Sequence, residues 1–228
     1  MESLLPDVPG LTAYQVQSVI MADERQLNLE LNKDAWVNDF HYRVNLKMES
    51  IAGYGSSLGN VHALIRELPN IFVEFNIKSM LDVPCGDYFW MNRVPKDGVQ
   101  YIGGDLVDEQ VEMVRATYPH LDVRKINLIT DTLPKVDLIF VRDCFIHLPF
   151  EFIQRSLKNC VDSGSTYLMA SSCPEVRVND ELGGVIGWRP LSLEQAPFNL
   201  PTPLKVVSEE HDYNPEKCMC IWKLSDVF

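Results

Sequence analysis

From residue 79 to residue 171, short and nearly continuous apolar runs alternate with helix-length segments, and this rhythm constrains the fold more than any other feature. Strands are predicted near 79–83, 100–105, 121–126, 136–141 and 166–171, with helices near 88–94, 108–118 and 150–161. Runs such as VDLIFV, Val136 to Val141, lack the polar alternation of a half-exposed strand. They suit a parallel sheet covered on both faces. Strand–helix alternation with short links gives a doubly wound α/β architecture. Asp108 suits a helix N-cap, and Glu109 and Glu112 favour the positive end of that helix.

The flanks are less regular. Residues 1 to about 23 show no sustained period and read as an arm, whereas Trp36, Phe40, Val44, Met48 and Ile51 recur at helical steps and predict a helix over 24–51. A glycine- and serine-rich loop, GYGSSLGN, comes next; Val61, Leu64, Ile65 and Leu68 mark another helix, which Pro69 is expected to break or restart. Residues 173–203 hold five prolines among aromatic and polar residues, and 205–208 and 218–224 read as two closing strands. A loop as long as 173–203 is usually functional or disordered; its Trp188, Phe198 and leucines favour order. The organisation expected is an N-terminal arm and helical lid over 1–59 and one catalytic-type domain over 60–228.

The chain has 228 residues, enough for one full core, and a net charge of −12, which argues against nucleic acid because phosphate contacts need clustered Lys and Arg. No basic n-region and apolar h-region open the sequence, and no apolar run approaches the ~20 residues of a membrane span. The six cysteines are scattered, mostly in apolar stretches, as expected of reduced thiols in the cytoplasm.

Two segments carry the chemistry. SMLDVPCGDYFWM, Ser79 to Met91, places Asp82 at a strand end and Gly86 in the turn behind it, with Asp87 able to cap the next helix. YIGGDLVDEQ, Tyr101 to Gln110, places Asp105 at the next strand end. An acid ~20 residues beyond a glycine turn can accept both hydroxyls of a ribose. The alternative for each acid alone is strand-end solvation or capping. No GxGxxG is present, which counts against a pyrophosphate-containing dinucleotide.

Over residues 60 to 224 the chain resembles the class I S-adenosylmethionine (SAM)-dependent methyltransferases. Within them, LDVPCGDYFWM, YIGGDLV, RDCFIHL and GWRPLSLEQAPF resemble a subgroup of glycan and capsule pathways in bacteria and large DNA viruses. The resemblance implies a Rossmann-like, seven-stranded, mostly parallel sheet with an antiparallel last strand. It also implies that Asp82, Pro84, Gly86 and Asp87 shape the methionine pocket, with Arg142 alongside. Asp105 and Leu106 would hold ribose and adenine, and Asn127 and Leu128 would flank the adenine. The turn departs from the usual pattern at Pro84 and Cys85, and Asn127 stands where the family commonly has a carboxylate.

VRDCFIHLPF, after the fourth strand, supplies Asp143 and His147 as a candidate base pair beside the transferable methyl group. A metal held by Asp143 with a second carboxylate is the minority expectation. Glu175, Asn179, Trp188 and Arg189, with Tyr54 from the glycine loop, are the candidate acceptor-binding residues, because planar polar groups and aromatic faces suit a sugar. The resemblance therefore implies methyl transfer from SAM to a sugar hydroxyl, leaving S-adenosylhomocysteine, with the chain serving alone or within a larger glycan-processing polypeptide. The competing expectations are N-methylation of an amino sugar or small amine, and a non-catalytic accessory domain that keeps the fold.

Overall fold

The computed structural model describes residues 13–46, 48–184, 187–210 and 216–227, with side chains described from residue 26 onward. Helix α1 (Ala13–Asn45) leads to α2 (Leu58–Glu74), after which strands and helices alternate. They are β1 (Ser79–Asp82), β2 (Gln100–Asp105), α3 (Asp108–Thr117), β3 (Asp122–Lys125), β4 (Leu138–Val141), α4 (Phe150–Asp162), β5 (Tyr167–Ser172), β6 (Lys205–Ser208) and β7 (Cys218–Lys223). One seven-stranded sheet runs in the order β3-β2-β1-β4-β5-β7-β6. Only β7 runs against its neighbours.

The two-residue period of the strands divides the core between the sheet's faces. Leu81, Ile139, Leu168 and Trp222 stand side by side across four strands and pack with Phe152, Ile153, Leu157 and Cys160 of α4. Phe140, Met169 and Ile221 form the row on the other face, against Leu64, Leu68 and Ile71 of α2 and Val111 and Val114 of α3. Residues 173–203 form no helix or strand among those described, yet Leu191, Leu193, Phe198 and Leu200 join the α4-side core. That burial keeps the segment ordered.

Four expectations need correction. α1 begins at Ala13, inside the span read as an arm, and ends at Asn45, so Met48 and Ile51 lie past it. α2 continues through Pro69, whose cost of ~3 kcal/mol is offset by burial of Val61, Leu64, Leu68, Ile71 and Phe72. The helix predicted over 88–94 is a run of turns with one 3-10 turn at Met91–Arg93. Tyr88 there adopts φ 59° and the Phe89 N–H donates to Asp87 Oδ1, both of which block helical continuation. Asp108 lies in the first turn of α3 rather than at its cap, which is Val107.

Candidate active site

In this strand order the chain runs outward from β1 to β3 and then returns to place β4 beside β1. The carboxyl ends of β1 and β4 therefore part around a crevice, the usual ligand position in such sheets. A cavity opens there. Asp82, Pro84 and Gly86 line it after β1, Asp105 and Leu106 after β2, Asn127 and Leu128 after β3, and Arg142 and Asp143 after β4. α1 closes the top with Asn32, Trp36, Phe40 and Arg43, one stripe at helical spacing.

Both strand-end acids are buried. Asp105 Oδ2 accepts the Gly86 N–H at 3.2 Å and Oδ1 accepts the Val107 N–H at 3.1 Å. Burial nonetheless pushes its carboxyl up to about 6, against those two donors. Asp82 accepts the Tyr101 hydroxyl at 2.7 Å, and burial pushes it up to about 7. Gln110, on the first turn of α3, also lines this wall. The pocket thus presents carboxylates whose ionised forms are short of donors, which suits a ligand rich in hydroxyl or cationic groups.

Neither a family model nor a curated relative matches the sequence. Among solved structures, the chain is similar to magnesium protoporphyrin IX methyltransferase (ChlM) from Synechocystis PCC 6803 with bound SAM. That match has a TM-score of 0.60 and 11% identity, over 84% of this chain and 96% of that one. The chain shares the Rossmann-like fold of that protein. Partial matches include the methyltransferase domain of bacterial CtHen1 (TM-score 0.44, 14% identity, 51% of this chain, 66% of that one). Streptomyces venezuelae DesVI is another (TM-score 0.43, 14% identity, 53% and 56%). The matches cover about two thirds or less of these two relatives' own lengths.

On the β4 side of the cavity, the charged groups pair with one another, although Glu209 Oε1 is buried without a hydrogen-bond partner. Arg142 donates to Glu209 Oε2 through Nε at 3.0 Å and to the Gly55 carbonyl through Nη2 at 2.8 Å. Its Nη1 lies 3.2 Å from Asp143 Oδ2, and Lys217 Nζ reaches Asp143 Oδ1 at 2.7 Å. Glu209 and Lys217 are buried, and nothing in the sequence singled them out. Burial opposes ionisation of Asp143, but Arg142 and Lys217 outweigh it and hold the carboxyl well below the usual range. Asp143 is therefore a persistent anion and a weak base. It is held at φ 50°, and a Cβ added at Gly55 would meet its Oδ2 at 2.8 Å, so the glycine loop seats directly on it.

His147 sits in a 3-10 turn behind the cavity wall, not on an α-helical turn with Asp143. Its Nδ1 lies 2.6 Å from the Gly187 carbonyl, which can only accept, so the proton sits on Nδ1 and Nε2 keeps its lone pair. Burial lowers its pKa, keeping the ring neutral. Trp36, on the cavity wall, packs edge-on against it at 5.7 Å.

Other expected site residues lie away from the cavity. Asp87 does not line it: the carboxylate accepts the Ser50 hydroxyl at 2.9 Å and the Ile51 N–H at 2.8 Å, fastening the turn to the segment after α1. Asn179 donates to the Ser192 and Ala196 carbonyls and accepts the Ser192 N–H. Arg189 donates to the carbonyls of Asp180, Ile146 and Leu148. These two side chains therefore serve the internal scaffold of the loop. Glu175 is exposed, with Arg177 Nη2 at 3.7 Å; Trp188 is 57% exposed, and Tyr54 is exposed beside the glycine loop. Among the described residues, no three or more His, Cys, Asp or Glu side chains gather as a metal site, and no helix is long and apolar enough to cross a membrane.

Proposed function

We propose that the chain is a SAM-dependent methyltransferase whose acceptor is a sugar hydroxyl. The observation that carries the cofactor half is the pairing of Asp82 and Asp105 in one buried cavity at the sheet's reversal. Asp105 would accept the ribose hydroxyls, and Asp82 and Gly86 would face the methionine end. Trp36 and Phe40 of α1 would exclude water from the reacting centre. Bound there, SAM supplies an electrophilic methyl group and leaves as S-adenosylhomocysteine.

The acceptor class rests on the resemblance of RDCFIHL and GWRPLSLEQAPF to the glycan subgroup. Asp143, ionised and on the cavity wall, would accept the acceptor's hydrogen bond and orient its oxygen. His147 stands behind that wall with a free lone pair on Nε2; it would take the hydroxyl proton as the C–O bond forms only on coming within hydrogen-bond reach, a general-base contribution of ~10²–10⁴-fold. One observation favours a second reading: a carboxylate kept ionised beside the cavity also suits an ammonium group, hence N-methylation of an amino sugar or small amine. Titrating the protein with SAM and S-adenosylhomocysteine in a calorimeter tests the cofactor; absence of heat and of thermal stabilisation points to an accessory domain. Labelled SAM with a panel of glycans and amines then tests the acceptor. His147→Gln should abolish transfer to a hydroxyl and spare most transfer to a neutral amine.

A further inference from the structure

Gln110 occupies a position where α3 should be apolar. It shares the inward face with Val107, Val111 and Val114, and all four are buried. Its amide nitrogen, Nε2, has no hydrogen-bond partner among the described residues, although the side chain lines the cavity next to Asp105, Leu106 and Val107. An unpaired buried donor is unfavourable unless a ligand answers it. Arg43 Nε, near the same wall, also lacks a hydrogen-bond partner, but it forms an ion pair with Asp39 Oδ2 at 2.8 Å and its Nη1 donates to the Ile51 carbonyl. Asn127 Oδ1 accepts the Ile129 N–H at 2.9 Å.

A ligand that gives its protons to Asp105 needs something in return. A vicinal diol donates through each hydroxyl and also carries oxygen lone pairs, which in a water-poor cavity require a donor. We infer that Gln110 reads the ribose: its amide N–H donates to an oxygen of the diol whose protons Asp105 accepts. This rests on the SAM reading of the cavity and adds to it a specificity-determining residue, selecting a nucleoside with an intact ribose over a deoxyribose one.

The test uses the full chain, with S-adenosylhomocysteine and its 2′-deoxy and 3′-deoxy analogues as probes. Gln110→Met keeps the volume and removes the donor. The variant should bind S-adenosylhomocysteine about ten-fold more weakly, yet match the unaltered chain on the analogue lacking the hydroxyl that Gln110 contacts. Its melting temperature without ligand should stay the same or rise, since an unsatisfied donor has gone. Three results overturn the inference: unchanged affinity, a penalty that persists in full on both deoxy analogues, or a lowered melting temperature with unchanged affinity of the folded fraction. If the unaltered chain itself does not bind S-adenosylhomocysteine, the SAM reading fails and takes this one with it. The three overturning results arise only when it does bind.

Discussion

The two walls of the cavity handle buried polarity in opposite ways. On the β4 side, Arg142, Asp143, Glu209 and Lys217 neutralise one another, two cations against two anions. On the β1–β2 side, Asp82 and Asp105 are raised towards neutrality by burial, and Gln110 holds an unanswered donor. A charge-paired cluster belongs to the fold, because removing one member strands the others, even though Glu209 Oε1 there lacks a hydrogen-bond partner. An under-satisfied cluster is a demand that a ligand can meet. The same contrast separates Asn179 and Arg189, whose donors already meet loop carbonyls, from the residues that face the cavity.

The largest effect should come from breaking the satisfied wall. Lys217→Met leaves Asp143 and Glu209 buried against Arg142 alone, and removal of one partner of a buried charge cluster costs about 3–5 kcal/mol. Urea denaturation measures this; a loss under about 1 kcal/mol would mean the four groups are not a structural unit. Asp105→Ala should act chiefly on binding. Losing a hydrogen-bonded charged acceptor costs about 1.5–3 kcal/mol of binding, so affinity for S-adenosylhomocysteine should fall about 100-fold. The chain without ligand should melt somewhat lower, since the Gly86 and Val107 N–H groups lose their acceptor, and affinity is read on the folded fraction. Unchanged affinity in calorimetry would dissociate Asp105 from the ligand altogether.

Asn179→Ala offers a smaller test of the loop. The amide bridges the Ser192 and Ala196 carbonyls and the Ser192 N–H, so its loss should destabilise the chain by about 1–3 kcal/mol. Turnover per folded molecule should be preserved. A fall in acceptor affinity with stability intact would return Asn179 to the acceptor site.

These contrasts also explain what the sequence disclosed. Strands were legible because a parallel sheet buried on both faces demands continuous apolar runs, and Leu138–Val141 is buried at every residue. Strand-end acids were legible because fold geometry sends strand ends to the crevice. Helical periodicity served α1 less well. Its cavity-facing stripe includes polar Asn32 and Arg43, while Val44, part of the expected apolar face, is exposed. Residue type could not reveal whether Arg189 faces a ligand or three carbonyls, since the same fork of donors suits both. Glu209 and Lys217 come from the far end of the chain and meet Arg142 and Asp143 only through the fold. Gln110 did leave a trace: a polar residue interrupting the Val107, Val111, Val114 face of a short helix.

The subtlest expected effect is a pH dependence confined to the under-satisfied wall. An isolated aspartate titrates near 4, but Asp105 is raised to about 6 and Asp82 to about 7. Between about pH 4 and 7 the folded chain therefore keeps protons on these groups that the unfolded chain has released. Stability depends on pH through that difference, so the contribution of both acids is greatest below pH 4 and is lost as pH rises through 6 and 7. A ligand that donates hydrogen bonds to the ionised carboxylates works the other way: it binds the charged forms and releases protons. The rise in melting temperature produced by S-adenosylhomocysteine should therefore grow from about pH 5 to about pH 8. Asp105→Ala should flatten that growth, whereas Lys217→Met should lower the whole curve and leave its slope. A ligand-induced shift constant across this range would mean that neither acid changes its protonation on binding, and the distinction between the two walls would lose its electrostatic basis.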